Sequence, residues 1–293
     1  MNIYKNIKND KQYKASTGFS KEEFIALFLV FEKLYFPKKK SIQKGVPKPV
    51  LTNKKEALFF ILHYLKAYPT LVNMGVYFGF SESTTSTYIE LLKPILKAAL
   101  LQVTKPIARN FGSQEDFDKA FEGVEDLIID GVEFNIQRPK DYDQQKEHYS
   151  GKKGTHTLKS IIVSDKYKRT LYMSDLVVGK THDFTMFKDI FSKFDFSKFN
   201  VFVDLGFLGI DKHITAKELQ IPQKKPKGGE LTENQKNENC TKSRLRIVVE
   251  NTIAMVKRYF ILRIENRMHM KNKLNEALEI CGLLWNFKNG VTI

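Results

Sequence analysis

The stretch Asp126-Leu127-Ile128-Ile129-Asp130-Gly131-Val132-Glu133-Phe134 decides the fold. Leu127, Ile128 and Ile129 form an unbroken apolar run, the pattern of a short strand covered on both faces. Asp130 interrupts the run, and Gly131 leaves room for close approach by backbone or ligand. An ionised carboxylate beside a buried strand is costly unless a cation meets it. Taken alone, Asp130 reads as a turn acid at a strand end. Other carboxylates delivered to the same place would change that.

The same unit recurs downstream. Asn200-Val201-Phe202-Val203-Asp204 is a second short apolar run ending in an acid, with Gly206 close behind. Between the two lie a polar, basic loop (138–157), a strand over Lys159–Ser164, a turn at 165–168 and a strand from Arg169 to Val178. Helical spacing begins at Asp183, with Phe184, Phe187, Ile190, Phe191 and Phe194 along it. Thr232 and Gln235 open a longer helix extending to about Tyr259. On it Arg246, Glu250 and Lys257 lie about 40° and 20° apart around the axis, so they share one face. Such a trio is an ordinary helical ion-pair stripe, or a metal-ligand Glu with cations placed for phosphate. A last amphipathic helix is expected at about 272–288, with Trp285 in the core.

Upstream the chain is helical. Residues 1–16 carry Lys5, Lys8, Lys11 and Lys14 and read as a loosely ordered basic arm. Ser20 and Glu23 form a capping box before a helix that should stop ahead of Pro37. Residues 37–49 read as an extended basic connector, and Thr52 as the start of the next helix. A short helix near 70–78, Gly79, and a helix capped by Ser81 have the form of a helix-turn-helix. Its outward residues are expected to be Glu82, Ser83, Thr85, Ser86 and Glu90, with Ser83 and Ser86 available to DNA. Pro94 should kink or end that helix. The expected domains are a basic arm at 1–16, a helical DNA-binding domain at 17–103 with the helix-turn-helix near 70–93, a connector at 104–124 and an α/β catalytic domain at 125–293.

The chain has 293 residues and a formal charge of +15, an excess that suits a polyanionic partner, nucleic acid first. No apolar run approaches the roughly 18 residues needed to span a bilayer, and the N-terminus is too polar for a signal peptide. Cys240 and Cys281 have no metal-type spacing, so a cytoplasmic location is the default. Asp130, Asp204 and Glu250 are hard oxygen donors suited to Mg2+ or Mn2+, and two such ions can clamp an in-line phosphoryl transfer. His and Cys are nearly absent from this set, which argues against zinc.

At these residues the sequence resembles bacterial insertion-sequence transposases of family 5, grouped with the DDE superfamily endonucleases and related to Harbinger-type elements. The resemblance runs from about Thr17 to about Met268. It is carried by IDGVEFNIQRPKD (129–141), HYSGKKGTHTLKS (148–160), GKTHDFTMF (179–187), VDLGFLGI (203–210), KKPKGGELTENQK (224–236) and RIVVENTIAMVKR (246–258). It implies an RNase H-like mixed sheet flanked by helices, preceded by the helix-turn-helix region. It implies Asp130, Asp204 and Glu250 as the catalytic, metal-binding triad for two Mg2+ or Mn2+ ions. The short stretch between Asp204 and Glu250 leaves no room for a large inserted domain. In the transposase signature Tyr-x2-Arg-x3-Glu-x6-Lys, Arg246, Glu250 and Lys257 match, but Ser243 stands at the Tyr position.

Tyr149, Lys152, Lys153, His156 and Lys159 match the family's basic loop, and Lys224, Lys225 and Lys227 form a second basic strip. Lysines there would neutralise phosphates, so Lys152, Lys153, His156, Lys159, Lys224, Lys225, Arg246 and Lys257 are the expected DNA contacts. His182 and Asp183 match a His-Asp pair that would be an accessory to the site or simply a helix N-terminus. The implied activity is binding of terminal inverted repeats, hydrolysis to a free 3′-OH, and joining of that end to target DNA, by a dimer or larger synaptic assembly near the bacterial nucleoid. Two other classes stay open: a retired or domesticated transposase that binds DNA without cutting, and a general nuclease acting on RNA–DNA hybrids.

Overall fold

The computed structural model describes residues 2–37, 50–226, 228–268 and 270–290; within these, the side chains of 243–245 are not described. The expected basic connector and Lys227 therefore fall almost wholly or wholly outside the described residues, as does the Ser243 side chain. The chain divides into two compact units.

The first unit comprises Met1–Lys105, Lys257–Arg263 and Ile280–Ile293. Its helices are α1 (Asp10–Thr17), α2 (Lys21–Leu34), α3 (Lys54–Ala67), α4 (Leu71–Phe78) and α5 (Glu82–Leu101). The Ser20/Glu23 capping box forms with both of its hydrogen bonds. Asn53, rather than Thr52, caps α3 and accepts from the backbone of Lys55 and Glu56. The expected loose arm is instead folded: Asn9 caps α1, Tyr4 and Tyr13 pack on Phe59, and Tyr13 also meets Phe24. Those two rings are the apolar anchors that the lysine spacing obscures. Gly79 ends α4 in the left-handed conformation (φ 78°) that glycine adopts at no steric cost. Ser81 caps α5 as expected, but Thr85 is fully buried and Pro94 sits inside an uninterrupted helix.

The second unit comprises Pro106–Val256 and Ile264–Glu279. In chain order it holds α6 (Gln114–Ala120), β1 (Asp126–Asn135), α7 (Tyr142–His148), β2 (Tyr149–Ser150), β3 (Thr155–Ser164), β4 (Thr170–Met173), β5 (Val177–Val178), α8 (Asp183–Phe191), β6 (Phe196–Phe202), β7 (Ala216–Gln220) and α9 (Glu233–Val256). The sheet is mixed: β3 is antiparallel to β1, whereas β6 is parallel to β1 and β7 parallel to β6. β2, β4 and β5 complete the β3 side. The single strand expected over 169–178 is two, because Ser174 leaves the ladder and accepts the Ile161 N–H through its hydroxyl (2.9 Å). α7 and β7 were not expected.

One face of this sheet carries an aromatic core. Phe111, Phe117 and Phe121 join Leu127 and Ile129 of β1, Tyr172, and Phe187, Phe191, Phe194 and Phe196. Residues 106–124 are therefore part of the α/β unit rather than a connector: Ala108 donates to Leu171 O at 2.9 Å, and Phe117 stacks on Phe194 at 4.9 Å. The other face bears Ile128 and Phe202 under Val249 of α9.

The expected boundary at 125–293 also shifts at the C-terminus. The short α10 (Phe260–Arg263) and the second half of α11 (Lys271–Lys288) are counted in the helical unit. Lys288 Nζ lies 2.8 Å from Glu23 and donates to Gly18 O, Phe287 meets Phe19 edge-on at 5.8 Å, and Lys66 donates to Arg258 O. Among the described residues no helix is long and apolar enough to cross a membrane. Truncation after Glu279 should destabilise the helical unit by at least about 3 kcal/mol, since it strips Phe19 of its aromatic partner and leaves Glu23 unpaired. Urea unfolding followed by circular dichroism checks this; an unchanged midpoint would contradict it.

Candidate active site

Parallel pairing sets the geometry. Asp126, Leu127 and Ile128 of β1 pair with Asn200, Val201 and Phe202 of β6. Asp130 and Asp204 each lie two residues beyond the last pair, so they stand level. β6 has ended there while β1 runs on, so the two acids lie at the carboxyl end of β6. Asp130 Oδ1 accepts the Gly131 N–H at 2.8 Å. Asp204 caps a single 3-10 turn, and its Oδ1 accepts the Gly206 N–H at 2.8 Å. The two strand-acid-Gly units of the sequence thus become two carboxylates, each fixed by a nearby glycine N–H.

Side chains alternate along a strand. Ile128 faces α9, so Asp130 does too, whereas Leu127, Ile129 and Gly131 face α6 and α8. Val249 anchors α9 on β1 and β6, and Arg246 and Glu250 lie beside it on the same helix. Arg246 Nη2 is 3.4 Å from Glu250 Oε1. Burial pushes the Asp130 carboxyl up to about 6, and the neighbouring Asp204 charge adds to this. The Gly131 N–H and Arg246 oppose the shift, and Asp183 contributes to it.

Glu250 has an exposed side chain directed to Arg246. Among the described residues no group of three or more His, Cys, Asp or Glu side chains is arranged to hold a metal ion. The structure therefore joins Asp130 and Asp204, and brings Glu250 to the same sheet face, without closing a three-carboxylate cage.

Of the expected trio Arg246, Glu250 and Lys257, the first two share a face of α9. α9 stops at Val256, and Lys257 lies in the turn leading to the buried Tyr259, within the helical unit. Lys159 is also placed differently from expectation. It is buried on β3, 3.6 Å from Glu133 and 3.2 Å from Asp183, and donates to Thr181 O at 2.9 Å. A buried ammonium held in this way is not presented to a phosphate. Lys152 and Lys153 are exposed in the β2–β3 turn, and His156 is half-buried against Tyr149. Lys224 and Lys225 are exposed; Ser83 is exposed and Ser86 half-buried on the first turns of α5.

His182 occupies the cap position of α8 without a side-chain capping bond. Asp183 lies against Gly131: a Cβ there would fall 2.5 Å from its Cγ. The space left by Gly131 is thus filled by a carboxylate. Glu133 accepts from Thr157 Oγ1 at 2.9 Å as well as pairing with Lys159. Sequence reasoning missed this pairing because residues 133 and 159 become neighbours only through the β1–β3 register.

The family described as DDE superfamily endonuclease matches residues 129–286. A probable transposase for insertion sequence element IS702 from Microchaete diplosiphon is 30% identical over 255 residues, which cover 86% of this chain and 85% of that protein. No solved structure matches.

The raised Asp130 value has a signed consequence. The folded state holds this proton more tightly than the unfolded chain, so the group's favourable contribution is full below about pH 4 and is lost as pH rises through about 6. Asp130→Asn keeps an acceptor for the Gly131 N–H and removes the charge. Without divalent cations it should exceed the parent in stability by about 2 kcal/mol above pH 6 and equal it near pH 4. Urea unfolding across that range is the measurement; a difference independent of pH would refute the stated cause.

Proposed function

The chain belongs to the DDE superfamily endonucleases, and from that premise we propose that it is an insertion-sequence DNA transposase acting through Asp130, Asp204 and Glu250. The observation that carries the proposal is the level placement of Asp130 and Asp204 on adjacent parallel strands, with α9 packed across the same two strands. The sheet order, with β1 between antiparallel β3 and parallel β6, supports reading the unit as RNase H-like.

The donor set fits a hard divalent cation. Two oxygen-only side chains stand side by side, and burial makes the Asp130 charge costly until a cation meets it. Asp130, Asp204 and Glu250 would hold two Mg2+ or Mn2+ ions. Such ions stabilise charge on the attacking, leaving and phosphoryl oxygens. The chain's own residues supply position. Gly131 and Gly206 fix the two aspartates, and Val249 seats α9, which carries Arg246 and Glu250, on the same sheet face. In the proposed first step a water oxygen bonds to phosphorus as the bond to the 3′ oxygen breaks, leaving a 3′-OH. In the second, that 3′ oxygen bonds to a target phosphorus and expels a target 3′ oxygen, so no external energy source is needed.

DNA would be held by exposed Lys152, Lys153, Lys224 and Lys225, with His156 in the β2–β3 hairpin and Arg246 near Asp130. α4, the Gly79 turn and α5 would serve as the helix-turn-helix, presenting Ser83 and Ser86 to terminal inverted repeats. Joining two ends calls for a dimer or larger assembly.

One observation favours a second reading, a relative that binds DNA without cutting it. Glu250 is turned to Arg246, and no metal-holding cluster forms among the described residues. The same experiment separates the two. Wild type should nick an end-containing duplex only with Mg2+ or Mn2+, and Glu250→Gln should lower the rate by about a hundredfold or more. Equal nicking by both proteins removes the triad; salt-dependent binding with no nicking on several ends supports the second reading.

A further inference from the structure

We infer that Leu205 and Leu208 form an apolar wedge beside Asp204 that enters the DNA and unstacks the base step next to the phosphate being cut. The inference rests on the DNA-cutting site proposed above and adds to it a pair of residues that shape the substrate.

The segment after β6 alternates between core and solvent. Phe207 and Ile210 are fully buried in the aromatic core, whereas Leu205 and Leu208 are 41% and 44% exposed. Asp204 caps the 3-10 turn Leu205–Phe207, and the Leu208 N–H closes it on Leu205 O at 3.4 Å. Side chains three residues apart in such a turn lie one above the other, so the two leucines form one ridge. Two glycines keep its shape. A Cβ at Gly206 would fall 2.8 Å from Asp204 Oδ1, and Gly209 takes the left-handed conformation (φ 91°) that turns the chain back to Ile210. The ridge is thus anchored by two buried side chains and joined directly to a carboxylate of the proposed site.

That position decides what the leucines meet. Successive nucleotides stand about 3.4 Å apart along a strand, and consecutive Cα atoms about 3.8 Å apart. A strand whose phosphate is held at Asp204 therefore passes within reach of side chains one and four residues further on. Leucine has nothing to offer a phosphate oxygen and gains only by leaving water. The apolar surface that DNA holds in quantity lies on the faces of its bases, which open only when a step is unstacked. Apolar side chains inserted between base steps in this way kink a duplex. Binding energy used for such a distortion appears in kcat rather than in KM.

The test uses the full chain and end-containing duplexes in which 2-aminopurine, a base that fluoresces when unstacked, is moved one position at a time through the end. With Ca2+ in place of Mg2+, wild type should raise the fluorescence at least about twofold at one step. Leu205→Ser and Leu208→Ser alter exposed side chains, so their urea midpoints should match wild type. Each should abolish the fluorescence rise and lower kcat for nicking the fully paired duplex at least about tenfold, with KM and its salt dependence unchanged. A mismatch that opens the same step beforehand should return both variants to within about threefold of wild type, and Leu205→Met should keep the rise. A wild-type complex with no rise at any position overturns the inference, as does a loss of nicking that the mismatch does not rescue, or serine variants that behave as wild type. A leucine-dependent rise in a protein that cuts no DNA would sink the transposase proposal and leave the wedge standing. Normal cutting without the rise would do the reverse.

Discussion

The parallel pairing of β1 with β6 is the constraint on which the rest of the site depends. Ile128 opposite Phe202 fixes the register, and Asp130 and Asp204 follow two residues later on each strand. Because side chains alternate, a slip of one residue in β1 would exchange its faces. Ile129 would then meet α9, and Asp130 would be driven into the aromatic core. Val249 over Ile128 and Phe202 prevents the slip and seats α9 in the same act. The packing that makes the sheet stable is also what brings α9, with Arg246 and Glu250, to the face that Asp130 presents.

That packing has an energetic cost to offset. Asp130 is buried beside Asp204, with Asp183 close by, and the chain alone supplies Arg246 as its nearby counter-charge. The opposite face of the sheet compensates with phenylalanines from four separate stretches of the chain, in stacked and edge-on contact around Phe117. Each such ring pair contributes about 0.5–1.5 kcal/mol beyond its buried area. With net stabilities of only about 5–15 kcal/mol, a costly carboxylate can persist where one face of its strand is this firmly held.

Local chemistry was legible in the sequence, and long-range register was not. The Ser20/Glu23 box, the Gly79 turn and both strand-acid-Gly units depend on residues within a few positions of each other, and each is found where the pattern puts it. The folded arm, the 106–124 segment and the two C-terminal stretches of the helical unit depend on partners far away in the chain: Phe59, Phe194 and Glu23. Lysine spacing could not disclose those partners. Pro94 is a different case: it reads as a breaker, yet α5 continues through it.

Lys159 and Lys257 show why charge alone misleads. Both are lysines in motifs otherwise rich in solvent-facing cations, and sequence gives them the same role as Lys152 or Lys224. β3 turns Lys159 inward because Leu158 to Ser164 are all buried, so its ammonium must find partners inside the protein. Lys257 stands immediately after the last residue of α9, in the turn that leads to the buried Tyr259. The three-residue signature therefore divides into a helical pair, Arg246 and Glu250, and a lysine that follows the helix. A cation's role is decided by what surrounds the strand or helix that carries it, and that surrounding is assembled only when the chain folds.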